Sequence, residues 1–339
     1  MAPNRDPFDV LTELWEPRIR DAFLEAIRSI GNKVSLQALI ERLELRDIDG
    51  ALRIVGLDPN DFVELTNRIA ETYGQGGKSF IGQIPAARAL DGAVIKVLFD
   101  IRNPSAERWI VERSSMLVTE IVGDQQASIR AHLIAGLSAG QNPRSTALDL
   151  VGRISRATGT REGGVIGLTS TQAAWGRSYA AELASGDPAQ LRKALERGLR
   201  DKRFDRTVAK AIRDGEPIPA DMRAKMVSAY RNKSLRYRAE TIARNETIRA
   251  LGAAQVEAYE QAITRRQITV EQITKFWRTM DDTRVRPTHR MIPGLNKEGR
   301  GWREPFQTPS GPSMHAPHDH DVLCRCREVV RLNYFKGLR

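Results

Sequence analysis

Residues 110–137 read IVERSSMLVTEIVGDQQASIRAHLIAGL. Within this stretch Ile110, Leu117, Ile121, Gln125, Ile129, Leu133 and Leu137 recur at spacings of four and seven, the repeat of one buried helix face, with Gly123 as a point of bending. This long stripe sets the fold class as mainly α, and the chain on either side extends it. Upstream, Leu11, Leu14, Trp15, Ile19, Ala22, Phe23, Ala26, Ile27 and Ile30 mark a first helix that Gly31-Asn32 ends. Ser35 caps a second helix, and Asp58-Pro59 opens a third carrying Phe62, Leu65 and Ile69. Downstream, Gly136, Gly140 and Asn142-Pro143 interrupt, Ser145 or Thr146 restarts a helix, and Thr169 or Ser170 caps another after the glycines at 159, 163, 164 and 167.

Gly74-Gln75-Gly76-Gly77-Lys78-Ser79 reads as a flexible connection. A phosphate-binding loop needs glycine five residues before the Gly-Lys-Ser, where Thr72 stands, and a preceding strand where a helix leads in. The expected organisation is therefore a helical unit at 1–75, a linker at 76–103, a helical body at 104–273 and a C-terminal module at 274–339. The fold class expected is mainly α: an elongated helical body with a small C-terminal α+β module.

The 339 residues are 41% hydrophobic and 28% charged, enough to bury more than one core without disulfides or metal. Only two cysteines occur, which excludes a disulfide-framework secreted protein. The polar start of the chain predicts no signal peptide, and the lack of a run of about 18 apolar residues predicts no membrane span. The net charge of +11 favours polyanionic partners. It is concentrated: residues 192–238 hold fifteen Lys or Arg against six acids, a net +9. One reading is a pair of solvated helices, broken at Pro217 and Pro219. The other is a surface for non-specific contact with double-stranded DNA through Arg192, Lys193, Arg203, Arg206, Lys225, Arg236 and Arg238, since phosphate contacts need cations but no fixed spacing. Tyr230 and Tyr237 interleave the run.

After Thr274 the composition changes to proline, glycine and histidine, with both cysteines. The module opens with Trp277, Asp281, Asp282, Arg284, Arg286 and His289 and closes with Cys324-Arg325-Cys326. Three chemistries compete. Cys324 and Cys326 with His289, His315, His318 or His320 offer zinc ligands, although Cys-x-Cys is not the usual Cys-x₂-Cys knuckle. Asp281, Asp282 and His289 resemble an acid/base group. The third reading is architectural: Arg284 or Arg286 bridges Asp281 or Asp282 over Trp277, and the thiols pack as small hydrophobes. Short strands are expected around 277–280 and 322–327, with Cys324-Arg325-Cys326 alternating as a strand. Residues two apart on a strand lie about 6.6 Å apart, near the upper limit for a disulfide, whose Cα separation is usually about 5.5–6 Å, so a bond between the two is not expected. Pro317, Asp319 and Asp321 suggest a solvated turn around His318 and His320, so two reduced thiols beside Trp277 and His289 are expected, without stoichiometric zinc.

The run Trp-Arg-Thr-x-Asp-Asp-x-Arg-x-Arg-Pro-x-His from Trp277 to His289, then Pro293-Gly294, then Cys324-Arg325-Cys326, resembles the C-terminal signature of phage head-morphogenesis proteins of the Mu F type. Arg244-x-Glu246-Thr247-x-Arg249-Ala250 is similar to the helix before that signature, and residues 110–154 resemble the family's helical body. The resemblance spans roughly residues 100–330. Pro293-Gly294 stands where the family often has Asp-Gly, and the His315, His318, His320 cluster is an addition. The resemblance implies a non-enzymatic minor head protein made in the host cytoplasm and held inside the virion head. It implies the portal protein, the interior of the major capsid or scaffold, and packaged DNA as partners, no cofactor, and an effect on packaging or delivery. Related modules in delivered toxins imply the alternative, a metal-dependent nuclease-like or toxin-like effector.

Overall fold

The computed structural model describes residues 6–88, 91–155, 158–316 and 322–336. Among these, the order is α1 (Pro7–Lys33), α2 (Leu36–Glu44), α3 (Ile48–Val55), α4 (Val63–Gly82), β1 (Ala87–Arg88), β2 (Val94–Ile95), α5 (Pro104–Ser138), α6 (Pro143–Val151), β3 (Arg153–Ile154), β4 (Arg161–Glu162), α7 (Ser170–Ala184), α8 (Pro188–Glu196), α9 (Asp205–Asp214), α10 (Ala220–Thr264), β5 (Ile273–Arg278), α11 (Pro287–Leu295), β6 (Arg300–Gly301) and β7 (Arg327–Leu332). The fold is mainly α with a small α+β module near the C-terminus. No helix among the described residues is long and apolar enough to cross a membrane.

Local chemistry explains most helix starts. The Ser35 hydroxyl accepts from the Ala38 amide, and Thr169 and Gln172 close a reciprocal capping box at α7. Asn142 and Asp187 cap α6 and α8, each with proline at the first helical position. So α6 starts at Pro143 rather than at the Ser145 or Thr146 that the residue pattern suggests. Asp58-Pro59 opens a short 3₁₀ turn that leads into α4, and α3, capped by Asp47, was not anticipated.

The first part of the expected 76–103 linker is helix: α4 runs unbroken through Gly74–Ser79 to Gly82, and the non-helical connection to α5 begins only after it. The glycines serve close packing. A Cβ at Gly77 would lie 2.2 Å from the Phe99 ring, and one at Gly76 would lie 2.9 Å from Leu251. Helix propensity is given up there for contact, and neighbouring packing makes up the loss.

The chain divides into two compact units that are discontinuous in sequence, not into the four successive segments expected from the sequence. One comprises residues 1–20, 66–114 and 240–339, the other 21–65 and 115–239. The division falls inside α1, α4, α5 and α10.

In the first unit, Tyr73 stacks on Trp109 at 4.8 Å between ring centroids, and the amide side chain of Gln267 satisfies the Val97 N–H and the Ile84 and Pro85 carbonyls. Its sheet has the order β6-β5-β7, antiparallel throughout, with Trp277 opposite Glu328 and Arg278 opposite Arg327. The strands lie near the expected places but are shifted. β5 begins at Ile273, and β7 begins only at Arg327, so Cys324-Arg325-Cys326 is loop, not strand. Along β5, Ile273, Lys275 and Trp277 face inward. The Lys275 ammonium reaches the Met314 carbonyl at 2.5 Å and lies over the Trp302 and Phe306 rings.

In the second unit, Tyr179, Leu183, Leu191, Val208, Ile218, Met226 and Tyr230 form one core, with Tyr179 stacked on Tyr230 at 4.8 Å. Gly167 sits at φ +94°, and a Cβ there would meet Leu235 and Ile27 within 2.7 Å, so only glycine fits.

Candidate functional site

The C-terminal module brings His289, Cys324 and Cys326 together. His289 is presented by α11, whose first turn carries Pro287, while the loop before β7 supplies both thiols. Leu323 takes a left-handed φ of +61°, a costly conformation for a bulky residue. Its N–H is held at 2.7 Å by Asn245 Oδ1, and the Arg286 guanidinium donates to the Val322 carbonyl at 2.6 Å. This turn, rather than strand alternation, aims both sulfurs at one point. His289 Nδ1 lies 3.2 Å from Cys324 Sγ and 3.5 Å from Cys326 Sγ, and all three side chains are buried. Trp277 meets His289 and Phe306 edge to face, at 6.0 and 5.6 Å.

The thiols are reduced and unequal. The contact with Cys326, and secondarily His289, pulls Cys324 down to about 6, whereas that same contact and burial push Cys326 above the ordinary thiol range. The pair therefore gives up its first proton far more readily than its second. A cavity of about 20 Å³ adjoins the three donors, and Arg284, Arg286 and Arg325 contribute to its lining.

The acidic residues are placed differently from the expected lattice. Asp282 is held chiefly by Arg325, one of whose terminal nitrogens lies 2.7 Å from both carboxylate oxygens. That contact holds the Asp282 carboxyl below the usual carboxylate range. Arg284 is a looser partner at 3.5 Å, and Asp281 accepts a hydrogen bond from the Thr279 hydroxyl instead. Asp281 and Asp282 thus bond to Thr279 and Arg325, and His289 lies against the thiols. His315 approaches Glu328 at 3.3 Å, not the thiols. His318 and His320 lie outside the described residues.

Three further residues matter that the residue pattern did not single out as interacting. Glu246, 2% exposed, accepts two bonds from Arg113 at 2.5 and 2.6 Å and one from Arg249 at 3.1 Å. Asn245 is the residue that fixes Leu323. Arg325, between the cysteines, ties the loop to Asp282. The Arg-Asn-Glu-Thr run is visible as a motif, but Leu323 and Arg113, which Asn245 and Glu246 hold, lie more than seventy residues away in sequence.

The basic stretch of the second unit separates into two sets. Arg192, Lys193, Arg203, Arg206, Lys225 and Arg236 are exposed. Arg203 is paired with Asp201 at 2.7 Å, and Lys225 lies 3.7 Å from Asp221. Arg238, expected on the DNA face, is instead buried: it donates to the Gly167 carbonyl at 3.0 Å, meets Asp124 at 3.2 Å and lies over the Phe23 ring. Arg231 is buried as well, beside Asp149 and the Gly163 carbonyl. Gln125, part of the α5 stripe, bonds the Gly167 N–H and the Leu168 carbonyl. These buried groups hold the glycine loop. Tyr230 is core, and only Tyr237 of the two tyrosines is exposed.

No curated protein and no solved structure matches the chain. Residues 189–329, which run from α8 into β7 and contain the whole His-Cys-Cys cluster, match the family model described as Phage Mu protein F like protein, and this part of the chain is similar to that family.

Proposed function

We propose that the protein is a phage head-morphogenesis protein, a non-enzymatic component of the virion head that lies near the portal and touches packaged DNA. The observation that carries this reading is the match of residues 189–329 to the Mu F-like family model, a span that includes His289, Cys324 and Cys326 of the C-terminal module. The exposed cations of α8 and α9, with Lys225 and Arg236 on α10, support contact with DNA phosphates, which requires positive charge without a sequence-reading element. The non-enzymatic part is supported by the same family match.

The test is protein analysis of purified, nuclease-treated particles from the phage or prophage that carries the gene. The expected result is the chain at a constant copy number per particle, protected from external protease and reduced in particles lacking the portal. Particles devoid of it, from cells that express it, would overturn the reading. Hydrolysis of nucleic acid by the purified chain, lost in His289→Ala, would turn it towards the effector alternative.

A further inference from the structure

We propose that His289, Cys324 and Cys326 form a zinc site with three protein ligands and a fourth position facing the adjacent cavity. This departs from the expectation of reduced thiols without zinc, which rested on the unusual Cys-x-Cys spacing and on reading His318 and His320 as part of a solvated turn, and it stands independently of the head-protein reading.

The donor set is one that zinc favours: two thiolates and one imidazole, soft to borderline ligands that select against calcium and magnesium. Their spacing fits a single ion. Tetrahedral zinc with Zn–S of about 2.3 Å and Zn–N of about 2.0–2.1 Å separates nitrogen from sulfur by about 3.5 Å. His289 Nδ1 stands 3.2 and 3.5 Å from the two sulfurs, and all three donor atoms lie within 4.8 Å of one another. An ion needs only small adjustments to enter.

The surroundings are arranged around that point. A left-handed leucine fixed by Asn245, and a carbonyl fixed by Arg286, hold the loop in the conformation that makes the sulfurs converge. Mere packing of two small side chains does not require that turn. The cavity of about 20 Å³ has room for one water, whose requirement is about 10–15 Å³, as the fourth ligand. Two thiolates neutralise the ion, and the arginines along the cavity suit a hydroxide or small anion in that place. Because its ligands come from two separate segments, the metal acts as a staple. It joins α11 to the chain entering β7, in a loop-rich module whose own core is small.

The experiment uses the full chain, purified reduced, with metal content measured by elemental analysis and the apo form titrated with zinc and with cobalt(II). About one zinc per chain is expected, together with thiolate-to-cobalt charge-transfer absorption and the visible bands of a tetrahedral site. A strong chelator should lower the melting temperature by at least about 5 °C. Cys324→Ser and Cys326→Ser should each cut zinc affinity at least tenfold. Because those variants can fail to fold, the titration of the wild-type apo protein decides alone: saturation at one ion with thiolate absorption supports the site. Reduced wild-type protein that takes up no zinc and gives no such absorption overturns it, as does uptake that persists undiminished in folded Cys324→Ser, Cys326→Ser double variants.

Discussion

The C-terminal module and the basic stretch are the two regions richest in polar chemistry, and they use it in opposite ways. In the module and the adjoining part of α10 the charged signature residues have named partners: Asp282 with Arg325 and more loosely Arg284, Glu246 with Arg113 and Arg249, Arg286 with a carbonyl, His289 with two thiols. In the basic stretch the same residue type performs two unrelated tasks. Arg231 and Arg238 point inward and hold a glycine loop, while Arg192, Lys193 and Arg206 remain at the surface. Charge in a sequence is a count; charge available to a partner is what remains after the interior has used its share.

That contrast is put at greatest risk by removing a buried charge from the module-bearing unit. Glu246→Ala leaves Arg113 and Arg249 without their shared carboxylate, and a drop of about 3–5 kcal/mol in denaturant-unfolding stability is expected. A drop under about 1 kcal/mol would show that the carboxylate matters no more than one in an exposed bridge.

A buried titratable group gives the next largest effect, in the other unit. Burial, aided by nearby Arg231, lowers His132 to about 4 from its ordinary 6.5. Between those values the unfolded chain takes up a proton that the folded chain refuses. Stability is therefore full above about pH 6.5 and falls as pH drops towards 4, by about 3 kcal/mol in all. Urea titrations at a series of pH values should show this slope in wild type and a flatter one in His132→Gln. Equal slopes would clear His132 of the effect.

Arg238→Ala follows, with an expected cost of about 2–3 kcal/mol as the charged hydrogen bonds to Gly167 and Asp124 disappear. Arg192→Ala, on the exposed set, should change stability by no more than about 0.5 kcal/mol. Similar costs for the two arginines would erase the distinction between inner and outer cations.

Much of the helical fold was legible because its signals are local. Ser35 and Thr169 cap helices through residues three positions away, and the stripe from Ile110 to Leu137 states its period within α5. What escaped is what depends on distant partners. The glycines at 74–77 look like a linker until Phe99 and Leu251 are placed against them. Cys324 and Cys326 look like strand neighbours until the left-handed Leu323, fixed by Asn245, turns the chain. Arg238 is indistinguishable in sequence from Arg236, and only the register of α10 against the glycine loop buries one and exposes the other. The motif residues of the site were recognisable, but their pairing was not, because a carboxylate flanked by several arginines does not name the one it will choose.

Duplex-DNA binding as a function of salt decides whether the outer cations form a phosphate-binding face. Wild type is compared with a variant in which Arg192, Lys193, Arg203, Arg206, Lys225 and Arg236 are changed to Gln, leaving Arg238 in place. Expected is sequence-independent binding by the wild type, and in the variant weaker binding with a log–log salt slope flatter by about 0.9 for every phosphate no longer neutralised. An unchanged slope in the folded variant, or no duplex binding by the wild type even at low salt, would contradict it.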